Sequence, residues 1–150
     1  MKKTFLLLAV LLSVTTSFAQ KKSMDQYIDD LMAKMTLDEK VGQLNLLPGG
    51  DITTGAGMNS PLAALIQKGE LGSVLNVMGV DKVKAVQELA VKKSRLGIPL
   101  LIGQDVIHGY ETIFPIPLAQ GCSWDPQAVE LGARVAAKEA SADGVNWVYS

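Results

Sequence analysis

The chain has 150 residues, enough for one small domain or for part of a larger one. A hydrophobic content of 48% and a mean hydropathy of +0.22 exclude a disordered chain, and a net charge of −1 offers no basic field to recruit nucleic acid.

The first 19 residues have the order of a secretory signal. Lys2-Lys3 precede the apolar run Phe5 to Leu12, and Ser17-Phe18-Ala19 stand before Gln20. An apolar core of about eight residues is too short to span a bilayer as a helix. Residues 1–19 are therefore read as a signal peptide and 20–150 as the mature chain, periplasmic or secreted, with no stable membrane insertion after cleavage. Removal of the signal leaves 12 basic against 15 acidic groups, a net charge of −3. The single cysteine, Cys122, gives no disulfide framework and reads as a small core residue.

The mature chain alternates helix and strand. Tyr27, Ile28, Leu31, Met32 and Met35 recur at helical spacing, which predicts an amphipathic helix over 25–35 that packs on a body. Thr36-Leu37-Asp38-Glu39 matches a capping box opening a second helix, with Val41 and Leu44 directed inward. Leu44 to Leu47 reads as a first strand. Pro48 to Asn59 holds four glycines and two threonines and reads as a surface loop bordering a site; neither phosphate-binding glycine spacing is present.

Ser60-Pro61 reads as the cap and first residue of a helix with Leu62, Leu65 and Ile66 on its apolar face, ended by Gly69. Gly72 to Val77 is a second buried strand. Asp81 caps a helix to Arg95 that turns Val83, Val86, Leu89 and Ala90 inward and Lys82, Lys84, Lys92 and Lys93 to water. Gly97 ends it. The run Pro99 to Ile102, closed by Gly103, is the central strand, with Asp105 just beyond it and His108 and Gly109 in a loop. Asp125-Pro126 opens a helix to Ala142 carrying Val129, Leu131, Val135 and Ala136, and Val145 to Tyr149 begins another strand. Trp124 and Trp147 are read as core.

Strands separated by helices imply right-handed crossovers and a parallel sheet, either doubly wound or closed into an eightfold barrel. Four strands cannot close a barrel, and the chain stops at Ser150 inside an apolar strand, so the expectation is a piece of a longer product. In such sheets the ligand site lies at the carboxyl ends of the strands. That places Asp105 in a site, with Asn76 on the neighbouring strand end bordering the same pocket. His108, the one histidine, stands three residues beyond Asp105 and three before Glu111. One imidazole and two loop acids make a poor metal-ligand set, so no metal is assigned and His108 is read as orienting Asp105.

The segments M-T-L-D-E-K-V-G-Q-L (35–44), G-E-L-G-S-V-L-N (69–76), S-R-L-G-I-P-L-L-I-G-Q-D-V-I-H-G (94–109), T-I-F-P-I-P-L-A (112–119) and A-A-K-E-A-S-A-D-G-V-N-W-V-Y-S (136–150) resemble, in order, the N-terminal part of glycoside hydrolase family 3, in its periplasmic β-glucosidase-like branch. The resemblance implies an α/β fold, the incomplete N-terminal part of a (β/α)8 TIM barrel, with a second α/β domain to follow. It also implies retaining hydrolysis of β-linked glucosides or oligosaccharides without a cofactor. The D-x-x-H-G motif falls on Asp105, which this likeness makes a sugar-gripping group; with His108 and Asn76 it forms the substrate-binding set.

No catalytic residue is assigned. The resemblance puts the nucleophilic aspartate on a later strand and the acid/base in the following domain, neither within these residues. A β-xylosidase, a β-N-acetylglucosaminidase of the same family and a non-catalytic sugar-binding module are the alternatives. The V-I-H-G after Asp105 departs from the glutamine-glutamate-glycine-glycine pattern of the second. Linkage preference and oligomeric state have no signature here.

Overall fold

A computed structural model describes residues 22–49 and 61–150. The expected signal peptide, most of the glycine-rich loop and the Ser60 cap lie outside them. The described residues fall into two units, up to Lys34 and from Met35 onward.

In the first unit, α1 (Met24–Lys34) carries an ion pair between Lys22 and Asp30. None of its residues is buried, and Tyr27, Ile28 and Met32 are exposed.

The second unit opens with α2 (Leu37–Gly42), capped as its sequence predicts: the Glu39 amide donates to Thr36 Oγ1 (3.2 Å) and the Thr36 amide to Glu39 Oε2 (2.8 Å). Its inward face differs from expectation. Val41 and Leu44 are exposed, whereas Glu39 and Gly42 are buried. Arg95 explains the buried acid by gripping both its oxygens, Nε to Oε1 at 3.0 Å and Nη2 to Oε2 at 2.5 Å. That guanidinium, aided by the Thr36 amide, holds the Glu39 carboxyl below the usual carboxylate range. Gly42 is buried because the helix rests directly on backbone there, and a Cβ would lie 2.4 Å from Glu70 Cα.

The remaining elements are β1 (Leu46–Pro48), α3 (Pro61–Lys68), β2 (Ser73–Leu75), α4 (Val80–Lys93), β3 (Leu101–Asp105), α5 (Pro117–Gly121), α6 (Pro126–Ala142) and β4 (Trp147–Tyr149). The four strands pair in parallel in the order β1-β2-β3-β4, so each strand lies beside its neighbour in sequence and the sheet has no switch point.

Register sorts the strand residues into two faces. Leu47, Val74 and Ile102 align on one, where Val74 and Ile102 are fully buried against Leu62, Ile66, Val83, Val86 and Leu89 of α3 and α4. The helix positions read as inward from periodicity are these. Burying each such Ile or Val stabilises the fold by about 1.5–3 kcal/mol. The other face aligns Leu46, Ser73 and Leu101, then Gly103 with Trp147 and Asp105 with Tyr149. Leu46, Leu101 and Trp147 on it are 37–48% exposed while Ser73 is buried, so this face is only partly covered among the described residues.

Several local readings change. Helix α4 is capped by Gly79 and not by Asp81, which lies in its first turn; Gly79 adopts φ +94° and its amide donates to Asp143 Oδ2 (3.0 Å). In α6, capped by Asp125 as predicted, Val129 and Leu131 face out while Gly132, Ala136 and Ala140 face in. Small residues every fourth position let that helix approach closely. Cys122 and Trp124 are exposed, contrary to their assignment as core, and Trp147 is 40% exposed. Trp124 sits in the tight turn between α5 and α6 with φ +53°.

Candidate functional site

Gly103 does not close β3; it lies within the strand, which runs on to Asp105. A glycine fits there because the Tyr149 ring crosses it; a Cβ would stand 2.9 Å from Tyr149 Oη and displace the ring. The ring of Trp147 lies beside that of Tyr149, with centroids 5.1 Å apart. Beyond the strands the ladder continues by single bonds: Gly49 N to Leu75 O (2.7 Å), Asn76 N to Gly103 O (3.1 Å) and Val106 N to Tyr149 O (3.0 Å). These bonds gather Gly49, Asn76, Asp105 and Tyr149 along the carboxyl edge of the sheet.

Asn76 holds φ +62°, a left-handed conformation that costs a non-glycine residue free energy and that asparagine tolerates best. It is exposed, as is Asp105. The Asp105 Oδ1 accepts from the Ile107 amide (2.9 Å), closing a turn that orients the carboxylate; among the described residues Oδ2 has no partner. His108, read as the residue that orients Asp105, does not do so: the Ile107 amide has that place. His108 is exposed, and its carbonyl accepts from the Phe114 amide (2.7 Å). Among the described residues no group of three His, Cys, Asp or Glu side chains is placed to hold a metal ion.

The loop from Val106 to Ile116 is held by residues that the sequence did not single out. Glu139, on α6, accepts from the amides of Glu111 (3.0 Å) and Thr112 (2.9 Å) through Oε2 and from Thr112 Oγ1 (2.6 Å) through Oε1. Those bonds, the Thr112 hydroxyl first, hold the Glu139 carboxyl below its usual range. One turn further on, Asp143 Oδ2 accepts from Tyr110 Oη (2.7 Å). The i, i+4 spacing of Glu139 and Asp143 was visible as one helix face. Only the fold brings the loop to it.

Tyr110 is 7% exposed; burial first, then the Asp143 carboxylate, pushes its phenol up to about 12. A phenol whose folded value exceeds its ordinary 10 contributes stability in full below about pH 10, and that contribution is lost as the pH rises toward 12. Tyr110→Phe is therefore expected to lower the unfolding midpoint by a constant amount between pH 6 and 9 and by a vanishing amount near pH 12. A deficit that persists unchanged to pH 12 would show that the hydroxyl bond does not titrate.

Comparison with known proteins places this edge in context. The glycosyl hydrolase family 3 N-terminal domain profile matches residues 36–150. A periplasmic β-glucosidase of Salmonella typhimurium is 36% identical over 126 residues, which cover 84% of this chain and 16% of that protein. A lysosomal β-glucosidase of Dictyostelium discoideum is 25% identical, over 84% of this chain and 18% of its own length. Among solved structures, the β-glucosidase of Listeria innocua in complex with isofagomine superposes with a TM-score of 0.71 at 40% identity, covering 86% of this chain and 18% of that one. A mutant of the same enzyme in complex with laminaribiose gives 0.72 at 38% identity, covering 86% and 19%. The chain thus spans less than a fifth of these relatives.

Proposed function

The chain belongs to glycosyl hydrolase family 3, and from that membership we propose that it is the front part of an exported, retaining β-glucosidase that removes terminal β-D-glucosyl residues from glucosides or oligosaccharides. The observation that carries this reading is Asp105: a carboxylate at the end of β3, on the carboxyl edge of a parallel sheet, with one oxygen fixed by Ile107 and the other without a partner among the described residues. A carboxylate can accept bonds from two adjacent sugar hydroxyls, and its charge strengthens both. Asn76 and His108 border the same ring. Export to the periplasm rests on the segment Lys2 to Ala19 and on the likeness to a periplasmic relative.

The strand order supports a (β/α)8 barrel over a doubly wound sheet. A doubly wound sheet reverses direction at a switch point, whereas a barrel adds each strand beside the last, as here. The partly covered face with Leu46, Leu101 and Trp147 then becomes the packed barrel interior. Tyr149 Oη, buried on that face with no partner among the described residues, takes its hydrogen bond from a strand on the far side.

Retaining hydrolysis needs two carboxyl groups about 5–5.5 Å apart, one the nucleophile that forms the glycosyl-enzyme and one the acid/base. In this reading both come from parts of the protein outside these 150 residues. Asp105 binds and does not react.

The test is hydrolysis of an aryl β-D-glucoside by the full-length protein, with the anomeric configuration of the product followed by NMR. Retention of the β configuration is expected, with no turnover by residues 20–150 alone. Turnover by that piece, abolished by Asp105→Ala, would move the reacting groups into this chain. Preference for an aryl N-acetyl-β-D-glucosaminide would assign the other branch of the family.

A further inference from the structure

The loop that carries His108 and continues from Asp105 is closed on itself. His108 O and the Phe114 amide are bonded at 2.7 Å, and Gly109 bridges to Ile113. Its stem is tied to the sheet through Val106. A turn closed in this way moves as a body, and its position is set at three places: the Val106 stem, the buried Tyr110 bonded to Asp143, and the tip. At the tip, both oxygens of Glu139 are engaged by three donors, the amides of Glu111 and Thr112 and the Thr112 hydroxyl. An ionised carboxylate is acceptor-only and satisfies all three, whereas an amide in its place would turn an NH2 toward a donor.

We propose that Glu139 is a positioning residue, whose carboxylate pins the Glu111–Thr112 tip and thereby sets where Asp105 and His108 meet the sugar ring. The inference rests on the β-glucosidase reading of the site and adds to it a residue on a different element, α6. Glu111 and Thr112 are exposed and Glu139 is half-buried, so cutting this contact opens no cavity in the core. Its effect belongs in substrate binding more than in stability.

The experiment measures KM, kcat and the unfolding midpoint for the full-length protein on an aryl β-D-glucoside, in Glu139→Gln, Glu139→Ala, Asp105→Asn and the control Glu130→Gln. Glu130 lies on the same helix in an exposed pair with Arg134. A loop that grips the ring alike in ground and transition states loses affinity when loosened, so KM rises and kcat holds. The expected result is a KM rise of about tenfold in Glu139→Ala, less in Glu139→Gln and none in Glu130→Gln, below the roughly hundredfold that a full 1 Å misplacement can cost.

Unchanged KM in both Glu139 variants, with Asp105→Asn impaired, overturns the positioning role and leaves the β-glucosidase reading intact. Unchanged kinetics in Asp105→Asn removes the grip itself and this inference with it. Should Glu139→Ala fail to fold, Thr112→Val, which deletes the hydroxyl bond alone, is expected to raise KM about threefold, and no rise there counts against the proposal.

Discussion

Asp105→Asn in the full-length protein is expected to lower kcat/KM for an aryl β-D-glucoside by about one to two decades while the unfolding midpoint stays nearly unchanged. The substitution keeps the shape and keeps an oxygen able to accept from the Ile107 amide, so the turn that orients the side chain survives. It removes the charge. Hydrogen bonds from two sugar hydroxyls to a neutral amide are weaker than to a carboxylate by roughly 1.5–3 kcal/mol, which sets the one to two decades. Asp105→Ala removes the acceptors as well and is expected to fall further. A kcat/KM within twofold of wild type in the asparagine variant would end the assignment of Asp105 as a substrate clamp. A large fall in the midpoint would instead mark it as a structural anchor of the loop.

Gly109→Ala is expected to be the most damaging single change in the loop. Gly109 holds φ +114°, open to glycine and strained for any L side chain, at a cost of about 1–3 kcal/mol. A Cβ there would also lie 1.9 Å from the Thr112 carbonyl oxygen, a backbone atom that cannot rotate away. The only escape is for the loop to open, which breaks the bridge from Gly109 to Ile113 and draws Thr112 off Glu139. Limited proteolysis is expected to cut the variant between residues 106 and 116 where wild type resists, and kcat/KM is expected to fall by more than tenfold. Gly121→Ala is the matched control, because a Cβ at Gly121 meets nothing within 4 Å. Equal behaviour of the two variants would show that the loop conformation is not what presents Asp105.

Both effects depend on a motif that the sequence displays as one short string, D-V-I-H-G, and on contacts that it does not display. Asp105 could be placed at the carboxyl edge because a short continuous apolar run bounded by proline and glycine marks a buried parallel strand, and parallel strands present ligand groups at that edge. The placement of Asn76 beside it follows from the same rule. His108 bonds within its loop through its carbonyl, but a side chain three residues away has no fixed direction, and among the described residues the nearer Ile107 amide takes Asp105 Oδ1.

The helices divide in the same way. In α4 every residue read as inward is buried, because a 14-residue helix lying along a sheet buries one continuous stripe. In α2 Val41 faces out while Glu39 and Gly42 face in, and in α6 Val129 and Leu131 face out while Gly132, Ala136 and Ala140 face in. Hydrophobicity ranks side chains by their preference for burial; the distance of approach of two elements selects for small ones, and that distance is a property of the assembled pair.

The amino-acid sequence by itself determined the alternation of helix and strand, the capping box at Thr36, the cap at Asp125, the family and the position of Asp105 at the end of its strand. These are local or linear properties, set by hydrogen-bond donors near a helix end, by periodicity and by ordered motifs. The tertiary structure alone decided that the strands lie in sequential order, that the Tyr149 ring crosses Gly103, that Arg95 balances the buried Glu39, and that Glu139 and Asp143 hold the loop of Asp105. Each of those joins residues tens of positions apart, and such a contact exists only once the chain has folded its backbone around it.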